Sequence, residues 1–146
     1  MKELGKYLEN MSYEYVITYS GLRGENIPGI SSWIDMLNSR LLKMDNEKHP
    51  SLELISRIGN KDEEMKILEK ILTARVLNPT FSRCAPIFRD IIVFYNKADE
   101  ISGIINICFS CEWIENELGE IMGSDKEMYL HLKQFLINQG HPISNV

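Results

Sequence analysis

Residues 91–95 read Ile-Ile-Val-Phe-Tyr, and this stretch does most to decide the fold. Five consecutive apolar side chains, three of them β-branched, are typical of a strand that is covered on both of its faces. After a turn at 96–100, the chain offers a second strand at 101–109, with one apolar face and one half-polar face. Two strand-like runs joined by a short turn predict an antiparallel hairpin. We therefore expect a small antiparallel sheet over about residues 87–111.

The last part of the chain predicts an amphipathic helix over about residues 125–139. Ser124, followed three residues later by Glu127, suggests a capping box, in which side chains satisfy free backbone N–H groups at a helix start. The apolar positions that repeat at helical spacing are Met128, Leu132, Phe135 and Leu136. Gly140 suits the left-handed residue that ends many helices, and Pro142 prevents continuation. We expect this helix to pack on the sheet.

The first 80 residues carry mainly helical patterns. Apolar residues at helical spacing, with caps and breakers at their ends, predict helices at about residues 2–10, 31–43, 50–58 and 60–77. The tyrosine-rich stretch 13–19 favours a strand, although continuation of the first helix is an alternative. The whole chain, 1–146, is thus predicted to be a single α+β domain, with N-terminal helices, a small antiparallel sheet and a closing helix.

Composition and charge exclude several classes of protein. The chain is 44% hydrophobic and 25% charged, as in ordinary globular domains. Its 16 basic and 21 acidic residues give a net charge of −5, whereas general nucleic-acid binding needs a basic surface. The N-terminus lacks the apolar run of a signal peptide, and no stretch reaches the roughly 20 apolar residues of a membrane span. We therefore expect a cytoplasmic protein without nucleic-acid or membrane partners.

The negative charge is concentrated in one short stretch. Residues 112–127 contain six acidic residues and one lysine, and the charges in the rest of the chain balance. Asp125 and Glu127 are explained by the capping of the last helix. The other four acids, which lie around Trp113, are Glu112, Glu115, Glu117 and Glu120. These four form a candidate surface for a basic protein partner, with Trp113 as an aromatic anchor; a solvated turn is the alternative.

Three cysteines support a second functional hypothesis. Cys108 and Cys111 form a Cys-x-x-Cys motif, a spacing that suits zinc binding or thiol exchange. Cys84 and either His141 or His131 would complete a zinc site, although no second cysteine pair has zinc-ribbon spacing. A continuing strand would place Cys108 and Cys111 on opposite faces, because their offset is odd. Burial as core residues is therefore an alternative to metal or redox chemistry.

Charged residues precede the central strand. Arg83, Arg89 and Asp90 would lie where the chain enters the sheet, either to bind an anion or to close the sheet end with an ion pair. None of the three histidines lies in a metalloprotease, deaminase or catalytic-triad motif. A small enzyme that uses Arg89, Asp90 and His141, in a pocket between the sheet and the N-terminal helices, is the third functional hypothesis.

Three segments of the chain resemble a set of small uncharacterised bacterial proteins. They are Phe-Arg-Asp-Ile-Ile-Val-Phe-Tyr at 88–95, Ile-Asn-Ile-Cys-Phe-Ser-Cys at 105–111 and Gly-His-Pro-Ile at 140–143. The similar proteins have a strand that ends in Phe-Tyr, a second that ends in Cys-Phe-x-Cys, and a closing helix that ends in Gly-His-Pro. The resemblance covers residues 81–143 and implies no particular activity. Proteins of this kind often stand alone or accompany secreted toxins as immunity proteins.

The leading functional prediction is a non-catalytic binding protein of the immunity type. Its acidic surface would occupy the basic substrate groove of a toxin domain, and it would need no cofactor. The alternatives are a zinc-binding or thiol-redox domain that uses Cys84, Cys108 and Cys111, and the small enzyme described above.

Overall fold

The computed structural model of the protein describes residues 2–23, 42, 47–80 and 84–144. The predicted helix at about 31–43, apart from Leu42, and the predicted strand-mouth residue Arg83 lie outside these ranges. None of the helices within the described ranges is long and apolar enough to cross a membrane.

The described residues form an α+β structure, as predicted. The helices are α1 Leu4–Glu9, α2 Glu63–Leu72 and α3 Lys126–Gln139. The strands are β1 Lys2–Glu3, β2 Tyr15–Ser20, β3 Glu53–Gly59, β4 Asp90–Tyr95, β5 Ile101–Cys108, β6 Trp113–Glu115 and β7 Met122–Gly123. More of the fold lies in strands than the sequence patterns indicated.

The predicted hairpin of β4 and β5 is the centre of a larger sheet. Five of the described strands pair antiparallel in the order β3-β2-β4-β5-β6, so β4 has a hydrogen-bonded neighbour on each side. All six residues of β4 are buried, as expected for its continuous apolar run. The strand predicted at 13–19 is confirmed as β2, directly beside β4. β1 and β7 form a separate short parallel pair.

Apolar side chains cover both faces of this sheet. On one face, all three described helices share a core with the strands, and Ile92 and Phe94 of β4 belong to it. On the other face, Ile91 and Val93 pack in a second cluster that includes Leu42. Because successive side chains of a strand point to opposite faces, β4 needs apolar residues at every interior position to supply both clusters.

The helix predicted at about 50–58 is wrong, because this stretch forms the edge strand β3. Leu52, Ile55 and Ile58 are three residues apart, and a short apolar run with this spacing does not distinguish a helix from a strand. The pairing of β2 with β3 shifts by one residue at Ile55, so the two flanking apolar residues reach opposite sides. Leu52 packs in the second cluster and Ile58 in the helix-covered core. A β-bulge therefore produced the helix-like period.

Two helix starts differ slightly from the prediction. α2 begins after Asp62 rather than Asn60 and ends at Leu72. α3 begins after Asp125 rather than Ser124, and the Asp125 carboxylate accepts a hydrogen bond from the backbone N–H of Glu127. The same carboxylate accepts two backbone N–H groups from Leu77 and Asn78. The bonds from Asn78, then Leu77, hold the pKa of Asp125 below its usual value.

A close approach between α1 and β5 joins the helices to the sheet. The Tyr7 hydroxyl accepts a hydrogen bond from the backbone N–H of Ile104 at 3.0 Å and donates to the carboxylate of Glu117 at 3.0 Å. Burial, and then the Glu117 carboxylate, raise the pKa of Tyr7, so its hydroxyl keeps its proton at neutral pH. A Cβ atom at Gly103 would collide with this hydroxyl and with the side-chain end of Met11. Glycine is therefore favoured at this position, because any larger residue must displace the hydrogen-bonded Tyr7 hydroxyl.

We expect Gly103→Ala to lower the free energy of unfolding by about 1–3 kcal/mol, because the added methyl displaces the Tyr7 hydroxyl. The matched control is Gly5→Ala in α1, where the new Cβ makes an ordinary contact 3.5 Å from Thr73. Alanine at this helical position should stabilise by about 0.5–1 kcal/mol. Urea unfolding followed by circular dichroism measures both, and equal effects in the two variants would contradict the argument.

Candidate functional site

A buried carboxylate lies at the first residue of β4. Asp90 is 2% exposed, and each of its carboxylate oxygens has a partner. Oδ2 lies 2.7 Å from the guanidinium of Arg23, and Oδ1 lies 2.8 Å from Nδ1 of His141. Arg23 follows β2 and His141 follows α3, so the carboxylate connects three separate parts of the chain. We call Asp90, Arg23 and His141 the Asp90 network.

The end of α3 places His141 in this network. Gly140 adopts a left-handed conformation with φ 112°, which an L side chain rarely adopts, and it ends the helix as predicted. The backbone N–H of His141 then bonds to the carbonyl of Leu136, which turns the chain back towards the sheet. The carbonyl of the next residue, Pro142, accepts a hydrogen bond from Arg23. The Gly-His-Pro motif thus completes the surroundings of Asp90.

Asp90 and His141, two of the three residues named for the small-enzyme hypothesis, are therefore in contact, whereas the third, Arg89, bonds to the carbonyl of Leu22. Both side chains are inaccessible, at 3% and 0% exposure. Nε2 of His141 is buried and has no hydrogen-bond partner among the described residues. An imidazole that exchanges protons with a substrate needs that nitrogen within hydrogen-bond reach of the substrate. In this conformation the Asp90–His141 pair is a packing feature of the sheet end.

The cysteines divide into a pair and a single thiol. Cys84 and Cys111 form a disulfide, with their Cα atoms 5.8 Å apart. Cys108 is free and buried, and it packs with Phe88, Cys111 and Trp113. No group of three or more His, Cys, Asp or Glu side chains among the described residues is placed to hold a metal ion. Thiol exchange and zinc binding both remain predictions.

The four glutamates of the predicted partner surface differ in their exposure and in their hydrogen-bond partners. Glu115 is only 7% exposed, and its carboxylate accepts a hydrogen bond from the indole N–H of Trp113 at 2.9 Å. Glu117 is half-buried and accepts the Tyr7 hydroxyl, whereas Glu120 is exposed. Glu112 lies in the preceding bend, where its backbone φ is 50°. Trp113 is partly buried and packs against Phe88, Cys108 and Cys111.

The exposed part of this region is a turn at residues 116–121, which we call the acidic turn. The buried side chain of Asn116 accepts the backbone N–H groups of Leu118 and Glu120, at 3.0 and 2.9 Å. Its amide also donates to the Glu120 carboxylate at 2.9 Å. Leu118, at the tip, is 77% exposed. The turn is thus held rigidly by one residue while it presents an apolar tip between Glu117 and Glu120.

Sequence reasoning missed two residues of these sites. Arg23 lies outside every predicted helix and strand, and no local pattern connects it with a carboxylate 67 positions away. Leu118 belongs to no helix-like or strand-like repeat of apolar residues in the sequence. Asn116 followed three residues later by Gly119 was an available signal, because asparagine side chains and glycine at positive φ are typical of tight turns; Gly119 has φ 77°.

We expect Asp90→Asn to destabilise the protein by about 1.5–3 kcal/mol, because the charged hydrogen bond to Arg23, whose side chain is 27% exposed, becomes a neutral one. Asp99→Asn, in the exposed turn after β4, is the matched control and should cost less than about 1 kcal/mol. A double-mutant cycle with Arg23→Met, measured by urea unfolding, should show a coupling energy above about 1 kcal/mol. Additive effects would show that the pair contributes nothing of its own.

A thiol titration tests the cysteine arrangement. Protein unfolded without reductant should release one reactive thiol, from Cys108, and reduction should raise the number to three. The native protein should react slowly, because Cys108 is 2% exposed. Three thiols without reductant, together with one zinc per chain by elemental analysis, would instead support the zinc hypothesis.

No protein-family model, curated protein or solved structure matches the chain. The two features of the molecule that bear on function are the Asp90 network and the acidic turn. Of these, the acidic turn is the one that faces solvent.

Proposed function

We propose that this chain is a non-catalytic protein-binding domain of the immunity type, and that the acidic turn is the part that enters the partner. The observation that carries the proposal is Leu118, which is 77% exposed at the tip of a turn held by hydrogen bonds to the buried residue Asn116. An apolar side chain on a rigid support is a suitable anchor for a pocket, because little conformational entropy is lost when it binds.

Charge supports a basic partner. Glu117 and Glu120 flank Leu118, and the exposed Ile121 follows them. Carboxylates at the rim of an apolar contact steer a basic surface into place and disfavour acidic competitors. A toxin domain that acts on a polyanion has such a basic groove, and occupation of that groove would inhibit it without any chemistry in this chain.

Contacts within the fold reduce the number of residues in the predicted partner surface. Glu115 accepts a hydrogen bond from the indole of Trp113, and Trp113 packs against Phe88, Cys108 and Cys111. The half-buried carboxylate of Glu117 accepts a hydrogen bond from the Tyr7 hydroxyl and lies near the start of the acidic turn. We therefore propose Leu118, rather than Trp113, as the anchor, and the exposed Glu120 as the leading charged contact with the partner.

Leu118→Ser combined with Glu120→Gln tests this proposal. The partner probe is the product of the gene beside this one, co-expressed in a host whose growth that product arrests. Wild-type protein should restore growth and bind the purified product, and the double variant should bind at least about tenfold more weakly. Rising salt should weaken binding by the wild type, because the contacts are charged.

Leu54→Ser is the matched control, because Leu54 is 58% exposed on the edge strand β3, at the opposite edge of the sheet from β6. It should restore growth as well as the wild type does. Equal rescue by all three proteins would remove the acidic turn from the proposal, and failure of the wild type to bind would remove the immunity function.

A further inference from the structure

A second feature, independent of the acidic turn, is a cavity of about 470 Å³ at the end of the sheet. It lies where the start of β4 pairs with the end of β5, with Asp90 opposite Ile107. One side of α3, including Tyr129 and Lys133, closes it. Sites for small organic molecules commonly measure about 300–1,000 Å³, so the cavity is large enough for such a ligand.

Three cationic side chains line the cavity without a carboxylate partner among the described residues. They are Arg89, Lys126 and Lys133. Arg89 donates through Nε to the carbonyl of Leu22 at 3.3 Å, and its terminal nitrogens have no hydrogen-bond partner among the described residues. Lys126 and Lys133 are seven residues apart on α3, and two helical turns bring them to the same side. The charges therefore come from both walls of the cavity.

A fourth cation, Arg23, is already oriented. Its Nε bonds to Ser20, and its terminal nitrogens bond to the carbonyl of Pro142 and to Asp90. These contacts use three of the five guanidinium N–H donors, so two are not used by the described residues. A charged donor held in place by the protein loses little entropy on binding.

The carboxylates in the cavity do not cancel this charge. Asp90 is compensated by Arg23 at 2.7 Å. Glu112 is the other acidic residue of the lining, against Arg89, Lys126 and Lys133. A local excess of positive charge in a chain with a net charge of −5 is not a consequence of composition. In a concave site such charge attracts anions more strongly than on an open surface.

The remaining lining is apolar. Ile107, Phe109 and Tyr129 lie in the cavity wall, and Leu130 reaches it with 68% of its surface exposed. Inorganic ions gain nothing from such a wall, whereas a ligand with an apolar body does. We infer that the cavity binds a small organic anion, in which a carboxylate or phosphate contacts Arg89, Lys126 and Lys133 and an apolar body contacts Phe109 and Leu130.

Calorimetric titration of the full chain with 1-naphthyl phosphate tests this inference. Saturable binding is expected, and 1-naphthol, which has the same body without the charge, should bind at least about tenfold more weakly, because a hydrogen bond to a charged group is lost. Arg89→Gln and Lys133→Gln should each weaken the binding of 1-naphthyl phosphate by about tenfold. Leu130→Ser should weaken this binding less. Lys66→Gln, at an exposed position of α2 outside the cavity lining, should leave the affinity unchanged.

Circular dichroism and urea unfolding establish that each variant is folded, and all four substitutions are at exposed or half-buried positions. Binding of 1-naphthol as tight as that of 1-naphthyl phosphate would overturn the inference. So would an Arg89→Gln and Lys133→Gln double variant with wild-type affinity. The acidic-turn variant Leu118→Ser with Glu120→Gln should bind 1-naphthyl phosphate normally, which separates this site from the proposed protein-binding function.

Discussion

The carboxylate of Asp90 is the constraint on which the end of this fold depends. A charge that is 2% exposed at the start of a fully buried strand must be compensated, since an unpaired buried charge is strongly destabilising. Arg23 supplies the opposite charge and His141 a hydrogen bond. These partners lie 67 and 51 residues away. One side chain therefore fixes where the chain leaves β2 and where it goes after α3.

This connection explains the sharp end of α3. A helix that continued past Gln139 would carry His141 away from the sheet, and the left-handed Gly140 prevents this. Nδ1 of His141 then bonds to Asp90, and Nε2 is buried. A histidine beside an aspartate is a frequent sign of acid–base catalysis, but accessibility decides between catalysis and structure. Here both side chains belong to the packing, and the accessible charges of Arg89 and Lys133 lie next to them.

The sequence predicted those parts of the structure whose causes are local. The apolar run Ile91–Tyr95, the Gly140 helix end and the hairpin of β4 and β5 follow from side-chain period and from glycine conformation, and all three are present. The strand β3 was predicted as a helix because a bulge at Ile55 replaced the period of two. Its strand conformation comes from pairing with β2, a partner that no local pattern reveals.

The candidate sites were harder to predict, for the same reason. The concentration of acidic residues at 112–127 was visible, but the structure divides these residues between inside and outside. Glu115 is buried against Trp113, while Leu118 and Glu120 project. Asp90 and His141 were named together as candidates, but Arg23 was not, because only the folded sheet brings it to them. Proximity between distant segments is the information that a single sequence does not contain.

The net charge of −5 conceals two surfaces of opposite sign. Charges separated by more than about 8–10 Å are largely screened at physiological salt, so each surface acts through its own neighbourhood rather than through the sum. Binding of a nucleic-acid polymer depends on many phosphate contacts and is disfavoured by an acidic chain. A small anion needs only the few donors that converge in one cavity. Net charge thus bears on polymer partners, whereas the inferred binding of a small anion depends on the positions of Arg89, Lys126 and Lys133.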